Sequence, residues 1–195
     1  MPVVVLTCAA MLAFAANSLL ARMALATTAI DAASFTAIRI IAGAVTLAAI
    51  VLAMGGRPRF SATEGLSALT LFVYAAAFSF AYRNIGTGAG ALVLFAAVQL
   101  MMISRGLSRG ERTSVPGLLL AIVGLVVFLA PGASAPPLGA ALLMAVAGLA
   151  WGAYSLLGKS GDDPVAGTAS AFVLAVPLSL LMLLVFRNSL QFDRD

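Results

Sequence analysis

The stretch LAFAANSLLAR, residues 12–22, is written a second time, almost unchanged, as LAWGAYSLLGK at residues 149–159. Aligned without gaps, Leu12, Ala13, Ala16, Ser18, Leu19 and Leu20 recur as Leu149, Ala150, Ala153, Ser155, Leu156 and Leu157, while Phe14 is matched in kind by Trp151 and Arg22 by Lys159. Leucine and alanine are too abundant in this chain for their matches to weigh much. The information lies in the order aromatic, small, small, polar, Ser, Leu, Leu, small, basic. A fainter echo follows each copy, since Asp31 leads to Thr36 and Ala37, and Asp163 to Thr168 and Ala169.

What surrounds the two phrases says which solvent they were written for. Hydrophobic residues make up 63% of the chain and charged ones 9%, against about 45–50% and about 25% in ordinary soluble domains. The apolar residues come as long runs rather than as stripes with a polar back face, the pattern of membrane spans. Counting runs long enough to cross a hydrocarbon core of ~30 Å predicts seven helices, at about 3–25, 33–54, 65–82, 87–104, 114–130, 138–157 and 166–187. Breakers fill the connections, as in GGRPRF at 55–60, RGLSRGER at 105–112, PGASAPP at 131–137 and GKSGDDP at 158–164. The first run lacks the positive flank of a secretory signal and is too long for one, so it reads as a retained span.

If the first and sixth spans are equivalent, each unit holds five spans. Five is odd, so the two copies face opposite ways, with Arg22 on one side of the membrane and Lys159 on the other. An inverted repeat of this kind is the architecture of secondary transporters that alternate access around a midplane site. Orientation follows from the loop cations. Arg57, Arg59, Arg105, Arg109, Arg112 and Lys159 share the side of the N-terminus, while Arg22 and Arg83, joined by Arg187 and Arg194, lie opposite. The excess places the N-terminus in the cytoplasm and the chain in the inner or plasma membrane as a multi-pass protein.

Several chemistries are disfavoured by what the chain lacks. Histidine is absent and Cys8 is the single cysteine, which removes the commonest general base and metal ligand together with any disulfide framework. The net charge of +4 comes from eleven Arg and Lys scattered between spans, not from a basic patch that would bind nucleic acid. GTGAGA at 86–91 follows no strand, and its Gly86/Gly90 spacing suits close helix packing. LLGKS at 156–160 ends like a phosphate loop but has Ala153 where the first glycine belongs. The expectation is therefore a protein with no catalytic residues, no metal and no cofactor, whose partners are the lipid bilayer and a small-molecule substrate, not nucleic acid.

The chain also resembles the EamA type of the drug/metabolite transporter superfamily. GERTSVPGLLLAIVGLVVFLAPG from Gly110 is similar to that family's turn into its fifth helix, GTGAGALVLFAAVQ from Gly86 to its fourth helix, and AASFTAIRIIAGA from Ala32 to its second helix with an internal arginine. The resemblance covers practically the whole chain. It departs in lacking the proline often found near Val98 or Gln99 of the fourth helix, and in ending after two helices of the second repeat. The resemblance implies a first five-helix repeat over 1–132 and a partial second repeat over 133–195. The function it implies is efflux of small organic solutes such as amino acids, metabolites or drugs. The alternative is a non-transporting remnant or accessory subunit that needs a second copy or a separate fragment to supply the missing helices. A seven-span photoreceptor or intramembrane enzyme is disfavoured, because the last span has no lysine and the chain no catalytic constellation.

Candidate cavity residues are the polar and aromatic groups deep in spans. Arg39 lies about two turns into the second span, where an arginine costs about 2.5–3.5 kcal/mol or more unless paired or hydrated. Either it snorkels toward Asp31 and water, or it locks helices or binds an anion. Asn17 and Gln99 need a partner inside the bundle or a hydrated cavity. Tyr74, Phe78 and Tyr82 recur along one face of the third span, and Trp151 and Tyr154 lie on the sixth. Tyr82 and Trp151 also suit an interfacial aromatic belt, whereas Tyr74 and Tyr154 are better placed to line a cavity.

Overall fold

The computed structural model describes residues 2–110, 136–158 and 163–187, with positions 116, 117, 119, 120, 123, 124 and 127 between them. Six helices run through these residues: α1 (Pro2–Thr27), α2 (Ala32–Ala53), α3 (Ala62–Tyr82), α4 (Thr87–Ser108), α5 (Leu138–Gly158) and α6 (Pro164–Phe186). Each is long and apolar enough to cross a membrane, as a multi-pass membrane protein requires. They are the first four, the sixth and the seventh of the seven expected runs. The fifth, 114–130, lies outside the described residues except for the single positions above, so the described helices number six.

In hydrocarbon every backbone polar group must be satisfied within the segment, so apolar runs of this length become helices. Polar residues then set where each one starts. Asp31 Oδ1 accepts from the amides of Ala33 and Ser34, each at 2.9 Å, and opens α2. Asp163 Oδ1 does the same for α6, accepting from Val165 and Ala166 at 3.1 and 3.0 Å. Five residues past each aspartate, Thr36 and Thr168 donate their hydroxyls to the carbonyls of Ala32 and Pro164, both at 2.7 Å. The fainter sequence echo is thus one helix start built twice. Ser61 caps α3, accepting from the Thr63 amide and donating to Glu64. At the far end of α2, Gly55 takes φ 76° and lets the Gly56 amide close on the Val51 carbonyl at 2.9 Å.

The contacts sort the helix ends onto two sides. The Arg59 amide, in the connection from α2 to α3, donates to Ser170 Oγ on α6 at 2.7 Å. On the other side Arg22 Nη1, near the end of α1, donates to the carbonyls of Tyr82 and Arg83 at 2.6 and 2.8 Å, where α3 leaves carbonyls without helical partners. α1 and α5 therefore run in opposite directions, and so do α2 and α6.

α3 is the centre of the bundle. It packs on α5 and α6, with α4 laid along α5 and α2 along α6, while α1 rests lightly on α3 and α4. Helices in lipid gain little from hiding apolar surface and associate by close approach of small residues. A Cβ added to Gly148 would strike the Leu94 carbonyl and come within 2.6 Å of Ala97 Cβ, and one on Gly152 would come within 2.8 Å of Met101 Cβ. These two glycines, four apart, are the seam between the parallel helices α4 and α5. Gly43 plays the same part for α2 beneath the Phe172 ring. The bundle leaves α1 outside, with 6% of its span buried against 56% for α3.

Candidate functional site

The two copies of the repeated phrase meet. The Phe14 ring stands edge-on to its counterpart Trp151 at 5.9 Å and 84°. Aromatic contacts spread from this pair, with Trp151 against Tyr74 at 4.7 Å and Tyr154 at 5.4 Å, Phe14 against Phe95 at 6.2 Å, and Tyr74 against Phe78 at 5.4 Å. Phe14, Asn17, Ser18, Tyr74, Leu94, Phe95 and Trp151 enclose a crevice of about 10 Å³. That volume is of the order needed by a single water.

Arg39 closes the end of this cluster nearer Arg22. Its Nη2 donates to Asn17 Oδ1 at 3.2 Å, joining α2 to α1. Its Cζ lies 5.0 Å from the Phe78 ring centre and 5.4 Å from that of Phe35, within the range of a cation held by aromatic faces. Nη1 is buried and has no hydrogen-bond partner among the described residues. Asp31 is not its partner, because that carboxylate caps α2 two turns away. Of the two arrangements open to Arg39, the structure has the inward one that bridges helices, not the snorkelling one.

Toward the opposite side the cluster widens. Tyr154, three residues past Trp151, borders a cavity of about 360 Å³ whose walls include Arg59, Glu64, Ser67, Ser155, Asp163 and Thr168. Asn17 and Tyr154 hold matched positions in the two phrases, so one polar group flanks the Phe14/Trp151 pair on each side. The match is broken at one point. Arg39 follows Asp31 by eight residues, and eight residues past Asp163 stands the fully buried Ala171. Arg39 therefore has no charged counterpart at the matched position.

Six of the seven expected residues form this one contiguous group: Asn17, Arg39, Tyr74, Phe78, Trp151 and Tyr154. The seventh, Gln99, does not join it. α4 turns its Leu94, Ala97, Val98 and Met101 stripe onto Gly148 and Gly152, which leaves Gln99 beside Leu100 on the exposed face. Tyr82 is not an interfacial aromatic either. It is fully buried, packed on Phe78 at 4.6 Å and over Gly90. Gly90 thus makes the close packing expected of the Gly86/Gly90 pair, while nothing approaches Gly86. Phe14 and Phe95 were not expected at the site. For Phe14 a signal existed, its alignment with Trp151.

No family model matches the chain, and no solved structure matches it. It is similar to the uncharacterized protein PA1977 of Pseudomonas aeruginosa, 54% identical over 192 residues that make up 96% of this chain and 67% of that protein. With that identity over that share of both chains, it belongs to the same protein family as PA1977.

Proposed function

We propose that this protein is a secondary transporter of the EamA type, one that carries small organic solutes such as amino acids, metabolites or drugs outward across the cell membrane. One observation supports it above the others. Two inverted copies of a phrase meet at Phe14 and Trp151, and the polar positions they carry flank that contact on opposite sides. Transporters with inverted repeats place their substrate between the repeats near the midplane. Around the crevice the contacts run to Phe78, Arg39 and Asn17 toward one side and to Tyr154, which borders the separate cavity of about 360 Å³, toward the other. A closed midplane site with a cavity on one side of it is what one state of an alternating-access cycle would present.

The rest of the reading is consistent with seven spans, an N-terminus in the cytoplasm and no catalytic or cofactor chemistry. α4 ends on the Arg59 side and α5 begins on the Arg22 side. The test is flux. Proteoliposomes carrying the protein, offered an amino-acid, metabolite and drug panel under an imposed proton or sodium gradient, are expected to exceed empty vesicles and to fall to their level with Tyr154→Ala. Flux indifferent to that substitution overturns the reading.

A second reading is favoured by the bareness of α1. Its counterpart α5 is held between α3 and α4, whereas α1 rests lightly on the same two helices. By the inverted arrangement, the close neighbours of α1 are second-unit counterparts of α3 and α4, which are not among the described helices. On this reading the chain alone gives no flux, and flux appears when those helices are reconstituted with it.

A further inference from the structure

Arg39 has a guanidinium whose surroundings are incomplete. Phe35 and Phe78 hold it by their ring faces, Asn17 takes one N–H through Oδ1, and Nη1 is buried without a partner among the described residues. Leaving a buried donor unsatisfied costs about 1–3 kcal/mol, and more for a charged group. A planar guanidinium with free N–H groups is shaped to receive a carboxylate. None of the described residues supplies one there. The described acids, Asp31, Glu64 and Asp163, all sit at helix starts, and Asp31 lies ~12 Å from Arg39 along α2. The position matched to Arg39 is the buried Ala171, which brings no charge of either sign.

We propose that the crevice binds an aromatic organic anion, with its carboxylate on Arg39 Nη1 and its ring against Tyr74 and Trp151 on the side that α1 covers. This deepens the transporter reading and rests on the crevice being the solute path. A single positive charge with no acid in a low-dielectric site favours a monoanion over a zwitterion. The ammonium of an α-amino acid would be held near the guanidinium with no counter-charge to offset the repulsion. Tyr74, Phe14 and Trp151 offer ring faces and edges at aromatic stacking distances. The present space of about 10 Å³ admits no such solute, so binding displaces a wall. That wall is α1, which carries Phe14, Asn17 and Ser18 and rests lightly on α3 and α4, with side-chain hydrogen bonds to other helices at Asn17, Ser18 and Arg22.

Trp151 is the one tryptophan in the chain, so its fluorescence reports this site alone. The purified protein in nanodiscs is titrated with phenylacetate, its neutral amide phenylacetamide, and the zwitterion phenylalanine. Phenylacetate is expected to change the Trp151 emission at a midpoint at least about tenfold lower than either of the others, given the contribution of a charge-assisted hydrogen bond. Arg39→Gln is expected to erase the difference between acid and amide while the ligand-free emission maximum stays in place. If Arg39→Gln does not fold, Asn17→Asp puts a carboxylate beside Arg39 and is expected to erase the same preference. Equal midpoints for acid and amide in the unaltered protein, phenylalanine binding as tightly as phenylacetate, or no response to any of the three overturns the proposal. Preferential binding without flux in proteoliposomes keeps the anion site and sinks the transporter reading instead.

Discussion

At Arg39 and Asn17 the cost of polarity in hydrocarbon becomes a structural link. An arginine alone at mid-depth is expensive, and an asparagine nearly as awkward, yet each supplies what the other lacks. Replacing Asn17 with leucine removes the acceptor and leaves the guanidinium worse satisfied, with an expected loss of about 1–2 kcal/mol. The double replacement Asn17→Leu with Arg39→Leu removes the need as well as the answer and is expected to recover most of it. SDS titration in mixed micelles measures both, and a double variant no more stable than Asn17→Leu alone contradicts this account. Polarity at depth was enough to single out Asn17 and Arg39 from the sequence. It could not pair them, because α2 is placed chiefly by its packing along α6 and α1 by its contacts with α3 and α4, and it misjudged Gln99, whose direction is set by the glycine seam on a different helix.

Among the elements, α5 shows most plainly how packing is written into residue choice. Gly148 and Gly152 bring its backbone against α4, and a methyl group at Gly148 has no space to enter. Gly148→Ala is expected to cost about 1–3 kcal/mol by forcing the helices apart, whereas Gly139→Ala, with nothing within 4 Å of the new atom, is expected to stay within about 0.5 kcal/mol. The same SDS titration separates them, and equal effects would mean that the seam does not hold α4. The two aspartate caps offer a matched comparison. Asp31→Ala and Asp163→Ala each lose two amide bonds of the same kind and are expected to cost about 1 kcal/mol apiece, so a large difference would argue against equivalent starts. The helices themselves were legible as apolar runs, and the caps as an echo. The seam was not read from the sequence, because glycines four apart are common in such chains and only the facing helix makes one pair tight.

For the whole molecule, the testable quantity is which way it faces. With Cys8 replaced, Asn84→Cys is expected to react with an impermeant maleimide added to intact cells, and Ser108→Cys only after the membrane is opened. Both positions are exposed at the ends of helices, so the reverse pattern would invert the assignment of sides, not merely weaken it. The opposite directions of the two phrases were predictable from counting spans. Their meeting at Phe14 and Trp151 was not, since period and hydropathy say how many times a chain crosses but not which crossings touch.

The bond between Asn17 and Arg39 also bears on how the protein is made. A segment leaving the translocon is judged by its own cost of entering lipid, and α2 carries one that its apolar residues offset alone until a partner arrives. That partner is already synthesised, on the helix just before it, across a connection of four residues. The first two helices are then best released together, as a hairpin whose charge is answered before it meets the acyl chains, and Asn17 becomes a residue for insertion as much as for the finished fold.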